Sequence, residues 1–251
     1  EYTEITEGYY AAQEITEFIN INGSTSVNLK ANVSWSRSTL NRGIFADRGT
    51  SQSVAAEISV PGSDLQFFKF IYNGERYFPI TNSWTLRLRT ELGYGGGYGD
   101  TPGLPFYEHF YGGGFGSIRG FENSTLGPRS TPPLDAEGNP VYFRDRDGDP
   151  FGGNLLVEAT AELIFPMPFV DDNRQFRPAV FVDAGNVFNT DCPAVSINCF
   201  GFDADNFRYS VGVGVSWLSG MGPLTFSFAK PFQTQPFDEK EMFQFELGRT
   251  F

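Results

Sequence analysis

The chain has 251 residues and a formal net charge of −12, from 18 Lys and Arg against 30 Asp and Glu. No basic footprint offsets that balance, which excludes a nucleic-acid groove, because phosphate binding needs clustered Lys and Arg. No uncharged apolar run reaches the ~18 residues of a transmembrane helix, while 29 Gly, 27 Phe and 16% aromatic residues suit short strands joined by tight turns and edged by aromatic girdles, which leaves a membrane barrel open.

The first residues, Glu1-Tyr2-Thr3-Glu4, carry neither a basic nor an apolar leader pattern, so any signal peptide is expected outside this chain. Ala11, Ile15, Phe18 and Ile19 stand near helical spacing with Gly23 as a stop. This predicts a short amphipathic helix within an N-terminal loop, 1–23, lying over a loop mouth. From Ser24 the period becomes two: Val27, Leu29, Ala31, Val33 and Trp35 share one face, and Ser26, Asn28, Lys30, Asn32 and Ser34 the other. The same alternation sets Leu86, Leu88, Leu92 and Tyr94 against Arg87, Arg89 and Glu91. It sets Leu155, Val157, Ala159, Ala161, Leu163 and Phe165 against Glu158, Thr160 and Glu162, and it is cleanest over 207–218, where Val211, Val213 and Val215 oppose Ser210, Gly212, Gly214 and Ser216.

About nine strands are predicted on these signals, at 24–38, 50–60, 65–78, 84–94, 154–165, 176–188, 207–218, 224–230 and 242–251. A soluble sandwich also alternates, but here the apolar faces end in aromatics: Trp35, Tyr94, Phe165, Phe207, Trp217 and Phe251. Rings at strand ends suit the two interfaces of a bilayer, and several strands reach the ~9–11 residues needed to cross it. Connections at 82–83, 166–173 and 219–223 are short and those at 95–153, 190–206 and 231–240 long, as in an outer-membrane barrel whose short turns face the periplasm. An odd strand count is awkward for a bacterial barrel; either one strand is misassigned or these residues are the C-terminal part of a larger barrel.

Within the long loop, 106–128 combines Phe106, Tyr107, Phe110 and Tyr111 with Gly112-Gly113-Gly114 and Ile118-Arg119-Gly120-Phe121. Large apolar area on a flexible backbone reads as a compact loop tucked into a concavity, the alternative being a Gly-rich turn on an exposed hairpin. Inside a concavity, Arg119 needs a carboxylate partner. Cys192 and Cys199 are read as a disulfide formed in an oxidising compartment, since no further metal ligands stand nearby. The acidic run 144–149 lacks the Gly and Glu spacing of a calcium loop, and the Gly runs lack the Lys-Ser/Thr of a phosphate cradle. His109 is the only His and has no nucleophile pattern around it; Glu158 and Glu162 lie on one strand face rather than across a sugar. No catalytic residue, metal or cofactor is expected.

An ordered set of segments carries a resemblance. It comprises Leu40-Asn41-Arg42-Gly43 with Gly49, Val60-Pro61-Gly62-Ser63-Asp64, the run from Pro105 to Tyr111, Ile118-Arg119-Gly120-Phe121 with Gly127-Pro128, Gly222-Pro223-Leu224, and the ending from Phe243 to Phe251. Along most of its length the chain resembles the C-terminal part of the barrel in the BamA family of outer-membrane insertases. The resemblance implies an all-β antiparallel transmembrane barrel, integral to the bacterial outer membrane, with residues 1–251 as one domain and 95–153 folded into the lumen. It implies that Arg119 at the loop tip contacts acids on the barrel wall, and the matching positions are Glu162 and Asp183. It also implies that the last strand, with Phe243, Phe245, Leu247, Gly248 and Phe251, forms one side of a lateral gate. The partners implied are unfolded outer-membrane β-barrel proteins, accessory assembly lipoproteins and the lipid bilayer. Ile118 stands where Val is commoner in that family, and its periplasmic domains and first strands have no counterpart in these residues. A related barrel that secretes or translocates protein, or a passive pore, is the alternative.

Overall fold

A computed structural model describes residues 1–8, 11–135, 137, 139–141, 148–168, 175–220 and 222–248. The period-two segments become nine strands of one sheet: β1 (Lys30–Ser38), β2 (Gly49–Ser59), β3 (Phe67–Pro79), β4 (Thr85–Gly97), β5 (Leu155–Ile164), β6 (Phe176–Phe188), β7 (Arg208–Ser219), β8 (Gly222–Phe232) and β9 (Phe243–Leu247). Each pairs antiparallel with its neighbours in the chain, so spatial order and chain order coincide. Such a meander is what hairpin connections between successive strands require.

The two faces divide the side chains as alternation demands, but inside out for a water-soluble protein. On β7, Val211 and Val213 are exposed, while Ser210 and Ser216 are fully buried. On β5, Glu158, Thr160 and Glu162 are buried, and on β6 Asp183 is buried while Val180 and Val182 are exposed. Covering carboxylates while leaving Val, Leu and Phe outside is costly in water and favourable in hydrocarbon. No helix among the described residues is long and apolar enough to cross a membrane. Ring pairs mark both ends of the sheet: Trp84 on Phe165 and Phe176 on Trp217 at the end of the short turns, Tyr209 on Phe232 and Phe188 on Phe207 at the other. These are the two interfacial girdles expected of a barrel wall.

The expected first strand is interrupted. Thr25–Val27 pairs instead with Tyr2–Glu4 as a small two-stranded sheet. The break falls at Asn28, whose Oδ1 accepts the Leu65 N–H at 2.9 Å and whose own N–H donates to Glu1 O at 2.9 Å. Alternation continues through both pieces, so periodicity alone could not see the change of partner. The N-terminal helix α1 (Gln13–Asn22) forms, and Gly23, at φ 82°, returns its N–H to Ile19 O. It lies on other loops: the Phe18 ring meets Phe106 edge-on at 5.3 Å, and Glu14 accepts the Thr131 N–H at 2.9 Å and the Ser196 hydroxyl at 2.8 Å.

Cys192 and Cys199 form a disulfide. Its loop docks through the Ile197 N–H to Thr131 Oγ1, 3.1 Å. Closing so small a loop stabilises by about 2–3 kcal/mol on the chain-entropy account. The double variant Cys192→Ser, Cys199→Ser is therefore expected to be cut faster by protease within 190–206. Unchanged cleavage there would mean that docking onto Thr131 and Glu14 holds the loop without the bond.

Candidate functional site

The long segment between β4 and β5 folds back over the inner face of the sheet. Leu104 and Phe110 from this segment pack with Leu65, Phe67, Leu156 and Val187 into one apolar cluster. At its start, Glu108 takes Lys69 Nζ at 3.0 Å and also bonds Lys30, so β1 and β3 both grip it. Burial alone would raise the Glu108 carboxyl, but the two lysine bonds outweigh it and hold the group below its ordinary value.

The turn that follows needs glycine. Gly113 and Gly114 sit at φ 96° and 98°, and a Cβ on Gly113 would lie 2.6 Å from Glu122 O. The Gly113 N–H donates to Ser117 Oγ at 2.7 Å, and that hydroxyl bonds Glu158 on β5. Ile118, Phe121 and Leu126 then form a second, fully buried cluster under the turn. Between them, Arg119 points into the wall.

Arg119 Nε and Nη2 donate to the two oxygens of Asp183 at 2.8 Å each, and its backbone N–H adds a bond to Oδ2 at 3.1 Å. Its Nη1 stands 2.6 Å from Glu162 Oε1. The guanidinium lies over the Phe181 ring, Cζ 3.3 Å from the centroid. Burial by itself would lower the Arg119 pKa; the two carboxylates raise it overall, so the charge is secure. Register explains the convergence, since Phe181 is opposite Glu162 and Asp183 is opposite Thr160 across β5 and β6. Three inward positions on two adjacent strands thus make one socket.

The ion-pair chain continues further than expected from the sequence. Glu162 Oε2 also takes Arg87 Nη1 at 2.7 Å, and Arg87 Nε bonds Glu75 Oε1 at 2.7 Å. Arg87 had been placed on the polar face of its strand, but its partners are set by pairing with β3 and β5, where it stands opposite Tyr77 and Glu162. A cavity of about 460 Å³ adjoins the socket and is lined by Arg87, Arg89, Glu91, Ser117 and Glu158 among others. The arrangement pairs buried charges between the loop tip and the wall, so what it offers is a brace.

Farther round the sheet, the loop tip meets the end of the chain. Gly120 and Phe121 pair antiparallel with Glu241 and Lys240, immediately before β9. On β9 itself Phe243, Phe245 and Leu247 face outward and are exposed. Gly248 turns at φ 92° with its N–H on Pro223 O at 2.8 Å. Phe251 lies outside the described residues. β9 pairs with β8 over five residues, from Phe243 opposite Phe228 to Leu247 opposite Leu224, and its other edge has no strand partner among the described residues.

Residues 2–251 match the model of the Omp85 superfamily domain. The chain is 39% identical over 238 residues to the outer membrane protein assembly factor BamA of Neisseria meningitidis serogroup B, covering 88% of this chain and 28% of that protein. To the protein of the same name from Nitratidesulfovibrio vulgaris it is 28% identical over 194 residues, covering 76% of this chain and 21% of that one. Its fold superposes on the crystal structure of BamA from Haemophilus ducreyi lacking POTRA domains 1–3 with a TM-score of 0.83 at 30% identity, covering 95% of this chain and 48% of that one. The chain therefore spans less than a third of the length of the curated relatives it matches.

Proposed function

The chain belongs to the Omp85 superfamily, and from that premise we propose that it is the C-terminal part of an outer-membrane insertase barrel, which folds and inserts β-barrel proteins through a lateral gate at β9. The inside-out sheet places it as an integral outer-membrane domain. On this reading residues 1–251 are a single domain, the inner face is the lumen, and the segment between β4 and β5 is a plug that Ile118, Arg119, Gly120 and Phe121 anchor to Glu162 and Asp183.

The observation that carries the proposal is the shortness of β9. Its eight companions are nine to thirteen residues long, whereas β9 has five among the described residues. A lipid-facing seam normally pairs every backbone N–H and C=O, because unpaired groups are expensive in hydrocarbon. A short strand that turns at Gly248, which adds no side-chain packing, makes a weak seam. An edge released there can pair with an incoming strand through main-chain hydrogen bonds, which confer affinity without requiring one substrate sequence. No bond is made or broken covalently, so neither a catalytic residue nor a cofactor enters. The substrates proposed are unfolded outer-membrane β-barrel proteins, with accessory lipoproteins assisting the whole protein. A passive pore is disfavoured by the buried contacts that hold the plug against the wall.

The test uses the full-length parent in liposomes, with folding of an unrelated barrel as the readout. Paired cysteines between β9 and the first strand of the parent should stop the acceleration when oxidised, and reductant should restore it. A locked barrel that still accelerated folding at the normal rate would rule out lateral opening.

A further inference from the structure

The inner side of β9 carries one amide side chain, Gln244, flanked along the strand by the outward-facing Phe243 and Phe245. It is 5% exposed. Its Nε2 donates to Phe121 O at 2.8 Å, the carbonyl two residues beyond Arg119, and reaches Glu241 Oε2 at 3.4 Å. The residues that lead into β9 are tied to the same segment. Lys240 and Glu241 pair with Phe121 and Gly120, and the Glu122 N–H donates to Glu239 O at 3.0 Å. Arg129 Nη1 bonds Glu239 Oε1 at 2.9 Å, and its Nη2 donates to Phe237 O at 2.7 Å. The plug tip is therefore a two-sided wedge: the Arg119 side chain is fastened to β5 and β6, and the Phe121 carbonyl is fastened to the last strand. Gly120 makes the reversal between the two sides at φ 90°, where a Cβ would crowd Ala229 and Pro231 at 3.2 Å.

We propose that Gln244 is a positioning residue through which the docked plug tip holds the last strand in register, so that lifting the tip loosens β9. The inference rests on reading β9 as the gate strand. Stability alone is a poor reason for an amide at this place. Gln244 Oε1 has no hydrogen-bond partner among the described residues, and an unsatisfied buried acceptor costs free energy that an apolar side chain of the same shape would not. What the amide adds is a bond that exists only while Phe121 is seated. Among the described residues β9 pairs with β8 alone, so the Gln244 bond adds a restraint on its inner side that the ladder does not supply.

Hydrogen exchange of the β9 amides, in the folded full-length parent in bilayers without substrate, separates coupling from simple stability. Undocking the tip with Arg119→Ala should speed exchange at 243–247 roughly five-fold, the effect of losing one neutral hydrogen bond. In a Gln244→Met background the same change should add clearly less, because the side-chain link is already absent while the pairing of 240–241 with 120–121 is common to both backgrounds. If Arg119→Ala does not assemble, Arg119→Lys, which keeps the charge and loses the forked contact, gives the smaller effect with the same dependence on Gln244. Equal acceleration in both backgrounds, or none with Gln244 present, overturns the proposal. The exchange measurement does not depend on insertion: a parent that fails to insert substrates would overturn the gate reading and leave the coupling result standing.

Discussion

Arg119→Ala should cost about 3 kcal/mol of stability, at the lower end of the loss expected when one partner of a buried ion pair is removed. Its side chain and those of Asp183 and Glu162 are each less than 5% exposed, so the screening that makes surface pairs weak does not apply. The variant strands the acids unequally. Glu162 keeps Arg87 at 2.7 Å, whereas Asp183 retains, of the Arg119 contacts, the backbone N–H at 3.1 Å and only while the tip stays seated. Loss of the contact over the Phe181 ring adds a cation–π contribution. The expected readouts are a lower temperature for the heat-modified gel mobility of the barrel and faster protease cleavage within 112–128. Asp183→Asn should lie between the two, because it keeps the shape and removes the charge that the guanidinium fork recognises. Wild-type mobility and wild-type cleavage in Arg119→Ala would mean that the Ile118, Phe121 and Leu126 cluster seats the tip without the ion pairs.

The wall of this molecule was legible in its sequence for a physical reason: hydrocarbon outside and polar groups inside keep the two strand faces chemically distinct. Val211 and Val213 against Ser210 and Ser216 is a stronger signal than either face of a soluble sandwich gives, and β6 begins and ends where alternation and its aromatic ends put it. The socket was less legible. Glu162 and Asp183 came from resemblance, Arg87 was indistinguishable from other polar-face residues and Glu75 was not singled out, because their meeting depends on the register of β3, β4 and β5. A slip of one residue would have turned Arg87 outward. The pairing of Gly120 and Phe121 with Lys240 and Glu241 joins segments about 120 positions apart, and no local pattern reports it. The same holds for Thr25–Val27, whose alternation is intact although its partner is Tyr2–Glu4 rather than β2.

Val213→Arg should impair assembly by about 2–4 kcal/mol, the cost of a cation on the lipid face near the bilayer midplane. Val213 sits at the middle of β7, is 55% exposed, and stands between Val180 on β6 and Phe228 on β8, themselves exposed. A guanidinium there has no carboxylate within this outward row, and snorkelling from mid-strand is longer than from either end. The neighbouring position gives the contrast. Gly214 faces inward between Ala179 and Ser227, so Gly214→Ser places a hydroxyl beside the Ser227 hydroxyl on the inner face and should cost far less. Gly212 is unsuitable as that control, since a Cβ there would lie 2.4 Å from the Phe181 ring that supports Arg119. The measurement is the fraction of each variant recovered folded in the membrane, read by heat-modifiable mobility. Equal recovery of Val213→Arg and Gly214→Ser would mean that the exposed Val, Leu and Phe row does not face lipid. Strong loss confined to Val213→Arg would fix the outward face of β7, and through its register with β6 and β8 the orientation of the socket that holds Arg119.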